Sequence, residues 1–210
     1  LLGRYLREKG PILETEEEIE ACLARYPPKK RELYREGLAT PLNPYKHSRA
    51  STFVKQEPVK YKEKDKPRII QFHGPVFMAH HIPWFSNLEH ALTHCPYLWS
   101  RCDKIVYSKG YDSLKQMSLI EEKVSSLSEA DQGVICAVCD CTAYDAHVLQ
   151  EALLNNNWFV LGALRRAGAR SDMVGVAARM LAQYLRHRCT ATCVDGEVKY
   201  KIEGEVISGS

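Results

Sequence analysis

Between residues 172 and 188 the apolar side chains fall on one stripe. Met173, Val176, Ala177, Met180, Leu181, Tyr184 and Leu185 step by three and one in strict alternation. That is the period of one helix face, so the stretch predicts an amphipathic helix with one side that must be buried. The segment 131–140, "DQGVICAVCD", behaves differently: a short apolar run that predicts a buried strand ending at Asp140. "DAHVLQEALLNNNWFVLGAL" then predicts a further helix. "TATCVDGEVKYKI" predicts a hairpin, with Asp195-Gly196 as a two-residue type I′ turn.

Upstream, "ETEEEIEACLARY" carries a capping box, Thr15 followed by Glu18, ahead of a stripe of Ile19, Cys22, Leu23 and Tyr26. Pro27 and Pro28 should end that helix. Residues 37–50 read as a loop, and Pro75 and Pro83 as breaks in the middle of the chain. "WFSNLEHALTHC" reads as helical, and "STFVK" and "PRIIQF" as short strands. A helical N-terminus, a basic strand-rich middle, then strand, helices and hairpin make an α+β arrangement.

A chain of 210 residues fits one domain or a domain and a half. Charged residues make up 26% and hydrophobic ones 45%, which predicts a folded, soluble protein rather than a disordered one. No apolar run approaches membrane-spanning length. The chain starts at Leu1 without a methionine and stops at "EVISGS", so both ends read as cuts through a longer protein. The eight cysteines lack the spacing of a small disulfide scaffold, and reduced thiols in a cytosolic setting are expected.

Cys136-x-x-Cys139, with Cys141, Cys189 and Cys193 beyond, has the spacing of a zinc knuckle. A strand would turn Cys136 and Cys139 to opposite faces, and no glycine follows Cys136 to make a chelating turn. Buried cysteines acting as small hydrophobes are therefore expected, with no stoichiometric zinc.

Two carboxylates, Asp140 and Asp145, stand five apart. A carboxylate at the C-terminal end of a buried strand can hold a hard cation with room for waters and a phosphate. It can equally be a bland strand end. Asp145 can cap the next helix or favour its dipole, and His147 can sit on the helix surface or make a structural hydrogen bond. A basic segment lies upstream. "FVKQEPVKYKEKDKPRIIQF" sets Lys55, Lys60, Lys62, Lys64, Lys66 and Arg68 around Glu57, Glu63 and Asp65. A solvated charged hairpin is one reading. The other is a phosphate clamp, because Pro67 fixes the backbone beside Arg68 and a held guanidinium grips phosphate bidentately. A metal carboxylate plus a triphosphate clamp is the minimal equipment of nucleotidyl transfer.

These motifs resemble those of RNA-dependent RNA polymerases of positive-strand RNA viruses, most closely the tombusvirus-like group. "FVKQEPVKYKEKDKPRIIQF" is similar to the fingers motif F, and "CDCTAYDAHV" to motif A. "YSKGYDSLKQ" is similar to the Lys-Gly segment between them. "CVDGEVKYKIEGEVISGS" is similar to the hairpin that leads into motif B, which would start at Ser208-Gly209. The order agrees over roughly residues 50–210.

The resemblance implies part of a right-hand polymerase fold. Residues 1–50 would be a helical and loop part of the fingers, 51–130 fingers with the nucleotide-entry motif, and 131–210 the start of the palm. It implies that Asp140 binds catalytic Mg2+ (or Mn2+) and that Asp145 senses the ribose 2′-hydroxyl. Lys55, Lys66 and Arg68 would line the nucleotide channel, with Glu57 as a structural partner for a cation there. Ser208 and Gly209 would begin the loop that shares sugar selection and holds template. The implied partners are an RNA template and nascent strand, nucleoside triphosphates and other viral replication proteins. The implied location is a membrane-associated replication complex in the host cytoplasm. The Gly-Asp-Asp motif that carries the second metal-binding aspartate in this family is not in the sequence. Two rivals stand beside this reading: a non-catalytic RNA-binding module using residues 54–68, and a reverse-transcriptase-like palm. Asp145 disfavours the latter, since choosing deoxynucleotides calls for bulk near the sugar.

Overall fold

The computed structural model describes residues 1–54, 69–95, 112–128, 149–193 and 195–203. It shows a mixed α+β arrangement with one four-stranded sheet.

The N-terminal part is helical. α1 (Leu2–Lys9) ends at Gly10, whose φ of 51° is the left-handed conformation that closes a helix without a Cβ penalty. α2 (Glu16–Leu23) starts at the expected capping box: the Glu18 amide donates to Thr15 Oγ1 at 3.2 Å, and the Thr15 amide donates to Glu18 Oε2 at 3.1 Å. These bonds, with one from the Glu14 amide, hold the Glu18 carboxyl below its usual pKa. Pro28 does more than end α2. It opens α3 (Pro28–Ala39), where its missing N–H costs nothing at the first helical turn. The loop expected over 37–50 is therefore shorter. Its first residues belong to α3, and Pro44–His47 form the short helix α4, capped by the Asn43 side chain.

β1 (Ala50–Val54) and β2 (Ile69–His73) pair antiparallel, as the two short strand patterns predict. Pro75 and Pro83 start helices rather than break them. Pro75 opens α5 (Pro75–Ala79) and Pro83 lies in the first turn of α6 (Ile82–Thr93). α7 spans Ser113–Ser128, and the Lys115 amide donates to Asp112 Oδ1 at its start. α8 (Gln150–Ala167) ends at Gly168 with φ 93°, and α9 (Ser171–Gln183) follows at once.

The helical stripe was read as far as residue 188. The helix stops at Gln183, and Tyr184 is its cap. From Arg186 the backbone is claimed by pairing with β4, and from Cys189 by β1 as well, which outweighs the local spacing of Tyr184 and Leu185. The hairpin is real and longer than expected: β3 (Arg186–Cys193) pairs antiparallel with β4 (Gly196–Glu203). Cys193 stands opposite Gly196, so the connecting positions are 194 and 195, one earlier than the Asp195-Gly196 turn. Gly196, φ 137°, is the first residue of β4. The sheet order is β2-β1-β3-β4, with β1 and β3 parallel.

The main core forms where α1, α6, α8 and α9 meet, around Leu6, Trp84, Leu88, Leu164, Ala177 and Met180. Asn157 of α8 is buried there, and its amide donates to the Leu181 carbonyl at 3.1 Å, which ties α8 to α9. A second cluster gathers Leu13, Cys22, Leu23, Tyr34, Ala79 and Ile82. α3 approaches α5 so closely that a Cβ on Gly37 would lie 3.0 Å from Ala79 Cβ and 3.0 Å from the Pro75 carbonyl oxygen. Cys22, Cys95 and Cys189 are buried free thiols. Cys136, Cys139 and Cys141 and the strand expected over 131–140 lie outside the described residues, and the helix expected over 145–164 begins only at Gln150, after Leu149 in extended backbone.

Candidate functional site

The residues expected to act lie beyond the described elements, and the structure describes the frame that carries them. Lys55, Glu57, Lys66 and Arg68 fall in 55–68, Asp140 and Asp145 in 129–148, and Ser208 and Gly209 in 204–210, all outside the described residues. Their covalent neighbours are placed. The basic segment joins Val54 to Ile69, which are paired across β1 and β2. The stretch holding both aspartates leads into Leu149, the N-cap of α8. Ser208 and Gly209 follow Glu203, the last residue of β4.

These exits are not at one end of the sheet. Val54 lies four steps along β1 from Ala50, and Ala50 stands beside Cys189, three residues beyond Arg186, the partner of Glu203. At about 3.3 Å per residue, Glu203 and the Val54–Ile69 pair are separated by roughly 23 Å along the strands. The basic segment and the Ser208-Gly209 stretch thus leave from opposite ends.

The β1–β2 pair that flanks the basic segment is fixed by side chains from three strands. The Tyr200 hydroxyl of β4 lies 2.7 Å from Thr52 Oγ1 of β1 and accepts from Gln71 Nε2 of β2 at 2.7 Å. On the opposite face Phe53 and Phe72 meet edge-on with ring centroids 5.7 Å apart.

The other end of the sheet is held by buried rings. His73 of β2 lies 4.7 Å from Phe77 and 5.6 Å from His187 of β3, and Tyr184 packs against all three of these rings. The His81 ring donates through Nδ1 to the Phe77 carbonyl at 2.9 Å, so Nε2 accepts from the Tyr184 hydroxyl at 3.1 Å. This assignment requires a neutral imidazole. Burial supplies one, pushing both His73 and His81 down to about 4, and the same burial pushes the Tyr184 phenol up. Tyr184 and His187 also line a cavity of about 450 Å³ between α6, α8, α9 and β3.

A basic groove of about 250 Å³ runs beside this end, lined by Arg49, Arg188, Lys199 and Lys201. Arg188 is clamped. Its guanidinium lies over the Tyr45 ring at 3.4 Å, and Nη2 donates to the Tyr45 carbonyl and to Ser48 Oγ. The sequence reading passed over this groove and the Phe53–Phe72 pair. The signal was present in the alternation of "RHRC", "KYK" and "STFV": Arg186, Arg188, Lys199, Lys201, Ser51 and Phe53 fall on one face of the sheet, with His187, Tyr200 and Thr52 on the other.

Among the described residues no three His, Cys, Asp or Glu side chains converge as metal ligands. Any metal proposal therefore rests on Asp140 and its neighbours, outside them. No helix among the described residues is long and apolar enough to cross a membrane.

Comparison with known proteins adds two findings. Residues 9–210 match the model of a family described as viral RNA dependent RNA polymerase. The RNA-directed RNA polymerase of groundnut rosette virus (strain MC1) is 27% identical over 168 residues, covering 77% of this chain. Those residues are 18% of that relative, so the chain spans less than a fifth of the length of the curated relative it matches.

Proposed function

Because the chain belongs to the family of viral RNA-dependent RNA polymerases, we propose that it is the fingers and the start of the palm of a longer enzyme that copies RNA from nucleoside triphosphates. The observation that carries this is the family match over residues 9–210, a range that includes all the quoted motifs. The short share of the relative's length supports a longer whole. The finer divisions, 1–50 and 51–130 as fingers and 131–210 as palm, belong to this proposal. So do the tombusvirus-like affiliation, the membrane-associated replication complex in the host cytoplasm, and the other viral replication proteins as partners.

In this reading each residue has one task. Asp140 holds Mg2+ (or Mn2+), which when bound supplies electrostatic stabilisation at the attacking and leaving oxygens. A hard cation of this kind suits one or two carboxylates completed by substrate phosphates, so a strand-end aspartate is an apt ligand. Arg68 grips the triphosphate through charge-assisted bonds, with Lys55 and Lys66 adding field along the entry path and Glu57 holding a cation in place. Asp145 accepts from the ribose 2′-hydroxyl, the group that marks a ribonucleotide, and Ser208 and Gly209 share that duty. The sheet supports this geometry: Tyr200, Thr52 and Gln71 lock the strands from which the basic segment projects.

The test is nucleotide incorporation by the protein joined to its downstream sequence. Labelled ribonucleotides should enter RNA on an RNA template only with Mg2+ or Mn2+ present. Asp140→Ala should abolish turnover while leaving the fold intact. Near-normal incorporation by that variant would sink the mechanism.

A further inference from the structure

We propose that the cavity between α6, α8, α9 and β3 binds a small organic ammonium, held by aromatic walls and by the Glu89 carboxylate. Its volume of about 450 Å³ lies within the range of small-molecule sites. The walls come from separate parts of the chain. Tyr26 lies between α2 and α3, and Tyr34 within α3. Trp84 and Phe85 stand in the first turn of α6, and Tyr184 caps α9. Glu89 follows Phe85 by four residues on α6, one turn on, which sets the carboxylate on the same side of that helix as the Phe85 ring.

Three features fix the charge of the ligand. Aromatic faces attract cations through their quadrupole, most strongly where water is excluded. Two of the wall rings already do so. Tyr26 and Tyr34 meet edge-on with centroids 5.2 Å apart, and the Lys30 ammonium lies 5.2 Å from the first centroid and 5.3 Å from the second. The second feature is the sign of the lining. Among the described residues that line the cavity there is no Lys or Arg, and Glu89 is the one Asp or Glu. His81 lines it too, but burial pushes that ring down to about 4, and both of its nitrogens are engaged, with the Phe77 carbonyl and the Tyr184 hydroxyl. The third is what the lining rejects. A phosphate or sulfonate would find no cation among these side chains and would face Glu89, the reverse of the groove beside Arg49 and Lys201. A lipid headgroup that joins ammonium to phosphate is disfavoured for the same reason, so the ligand is a free ammonium. A neutral molecule of the same shape gains nothing from Glu89 and less from the rings. This site goes beyond the polymerase reading and does not rest on it.

The test is calorimetric titration of the 210-residue chain with three probes that share a phenol ring. They are 4-hydroxyphenyltrimethylammonium, its uncharged isostere 4-tert-butylphenol, and the anion 4-hydroxybenzenesulfonate. The ammonium should bind about 5- to 30-fold more tightly than the isostere, and the sulfonate should not bind. Glu89→Gln should narrow the preference for the ammonium by up to about 5-fold while the isostere binds as it does to the parent. Asn156, an exposed residue of α8, also lines the cavity, and Asn156→Trp should fill the space and remove binding of both. Circular dichroism checks that each variant folds. Indole nitrogen-15 NMR locates the site on the parent. The Trp84 signal, assigned with Trp84→Phe, should move on titration with the ammonium. The signal of Trp158, which is 72% exposed and lies outside the lining, should stay. Five results would overturn the proposal: no binding, an isostere that binds as well as the ammonium, binding of the sulfonate, a preference untouched by Glu89→Gln, or a shift at Trp158 in place of Trp84. Nucleotide incorporation by the extended protein is a separate measurement, so failure of either reading leaves the other standing.

Discussion

Burial decides the charge of His73 and His81. Each ring is enclosed by Phe77 and Tyr184, and His73 also faces His187, so a second positive charge would be repelled as well as desolvated. The folded-state values near 4 lie below the ordinary 6.5. Between these limits the unfolded chain binds protons that the folded chain refuses, so stability rises with pH across that window. It is fully present above about 6.5 and is lost as pH falls toward 4, each ring contributing up to about 1.4 kcal/mol per pH unit. Urea unfolding at a series of pH values should show this loss. In His73→Phe the slope should be shallower by about one proton's worth, and an unchanged slope would refute the burial argument. On the proposed reading Arg68 grips the triphosphate. Arg68→Ala would then remove a charge-assisted contact worth roughly 1.5–3 kcal/mol, so nucleotide use by the extended protein should fall on the order of 10- to 100-fold. That loss should appear in steady-state kinetics over a nucleotide titration.

At the scale of elements, one substitution made in two helices separates propensity from packing. Alanine is favoured over glycine in a helix interior by about 1 kcal/mol. In α9 a Cβ on Gly175 would meet only the far end of Arg179, at 3.6 Å, so Gly175→Ala should stabilise by about 0.5–1 kcal/mol. In α3 a Cβ on Gly37 meets α5 backbone, which cannot swing away. Overpacking of that kind costs about 1–3 kcal/mol, so Gly37→Ala should be destabilising despite the better helix former. Thermal melts of the two variants should move in opposite directions. The same contest explains which elements could be read from residues alone. α2 and α9 announce themselves through a capping box and a stripe, because their local chemistry and their tertiary role agree. α3 buries little beyond Tyr34 and Gly37, so its sequence carries almost no periodicity and it was read partly as loop. The end of α9 and the hairpin turn were misplaced by a few residues. There pairing with β4, a pairing that begins at Arg186, decides where the helix gives way to strand.

At the scale of the whole molecule, the order of elements was legible but the sheet's connectivity was not. No local pattern says that β1 lies parallel to β3, or that Phe53, Phe72, Lys199 and Lys201 share a face, since those neighbours are set by registers between segments far apart in sequence. The family was legible for the opposite reason. The resemblance rests on local strings, which are read without knowing any long-range register. That contrast leads to a prediction about the isolated chain. Its helices bury two apolar clusters, and His73 and His187 of the sheet pack against Phe77 and Tyr184, so it should fold and give a cooperative melt. It should nevertheless incorporate no nucleotide. Two-metal catalysis needs ligands on both sides of the ion pair, and on the proposed reading this chain offers Asp140 alone. Extension through the downstream sequence should restore magnesium-dependent incorporation. In that extended protein Asp145→Ala should leave incorporation measurable but reduce the preference for ribo- over deoxyribonucleotides. A site built to hydrogen-bond a hydroxyl rejects the analogue lacking it because its own buried polar group would be left unpaired, and removing that group removes the penalty. Competition between the two nucleotide classes in one reaction would measure the ratio directly. A ratio equal to that of the parent would take Asp145 out of sugar selection.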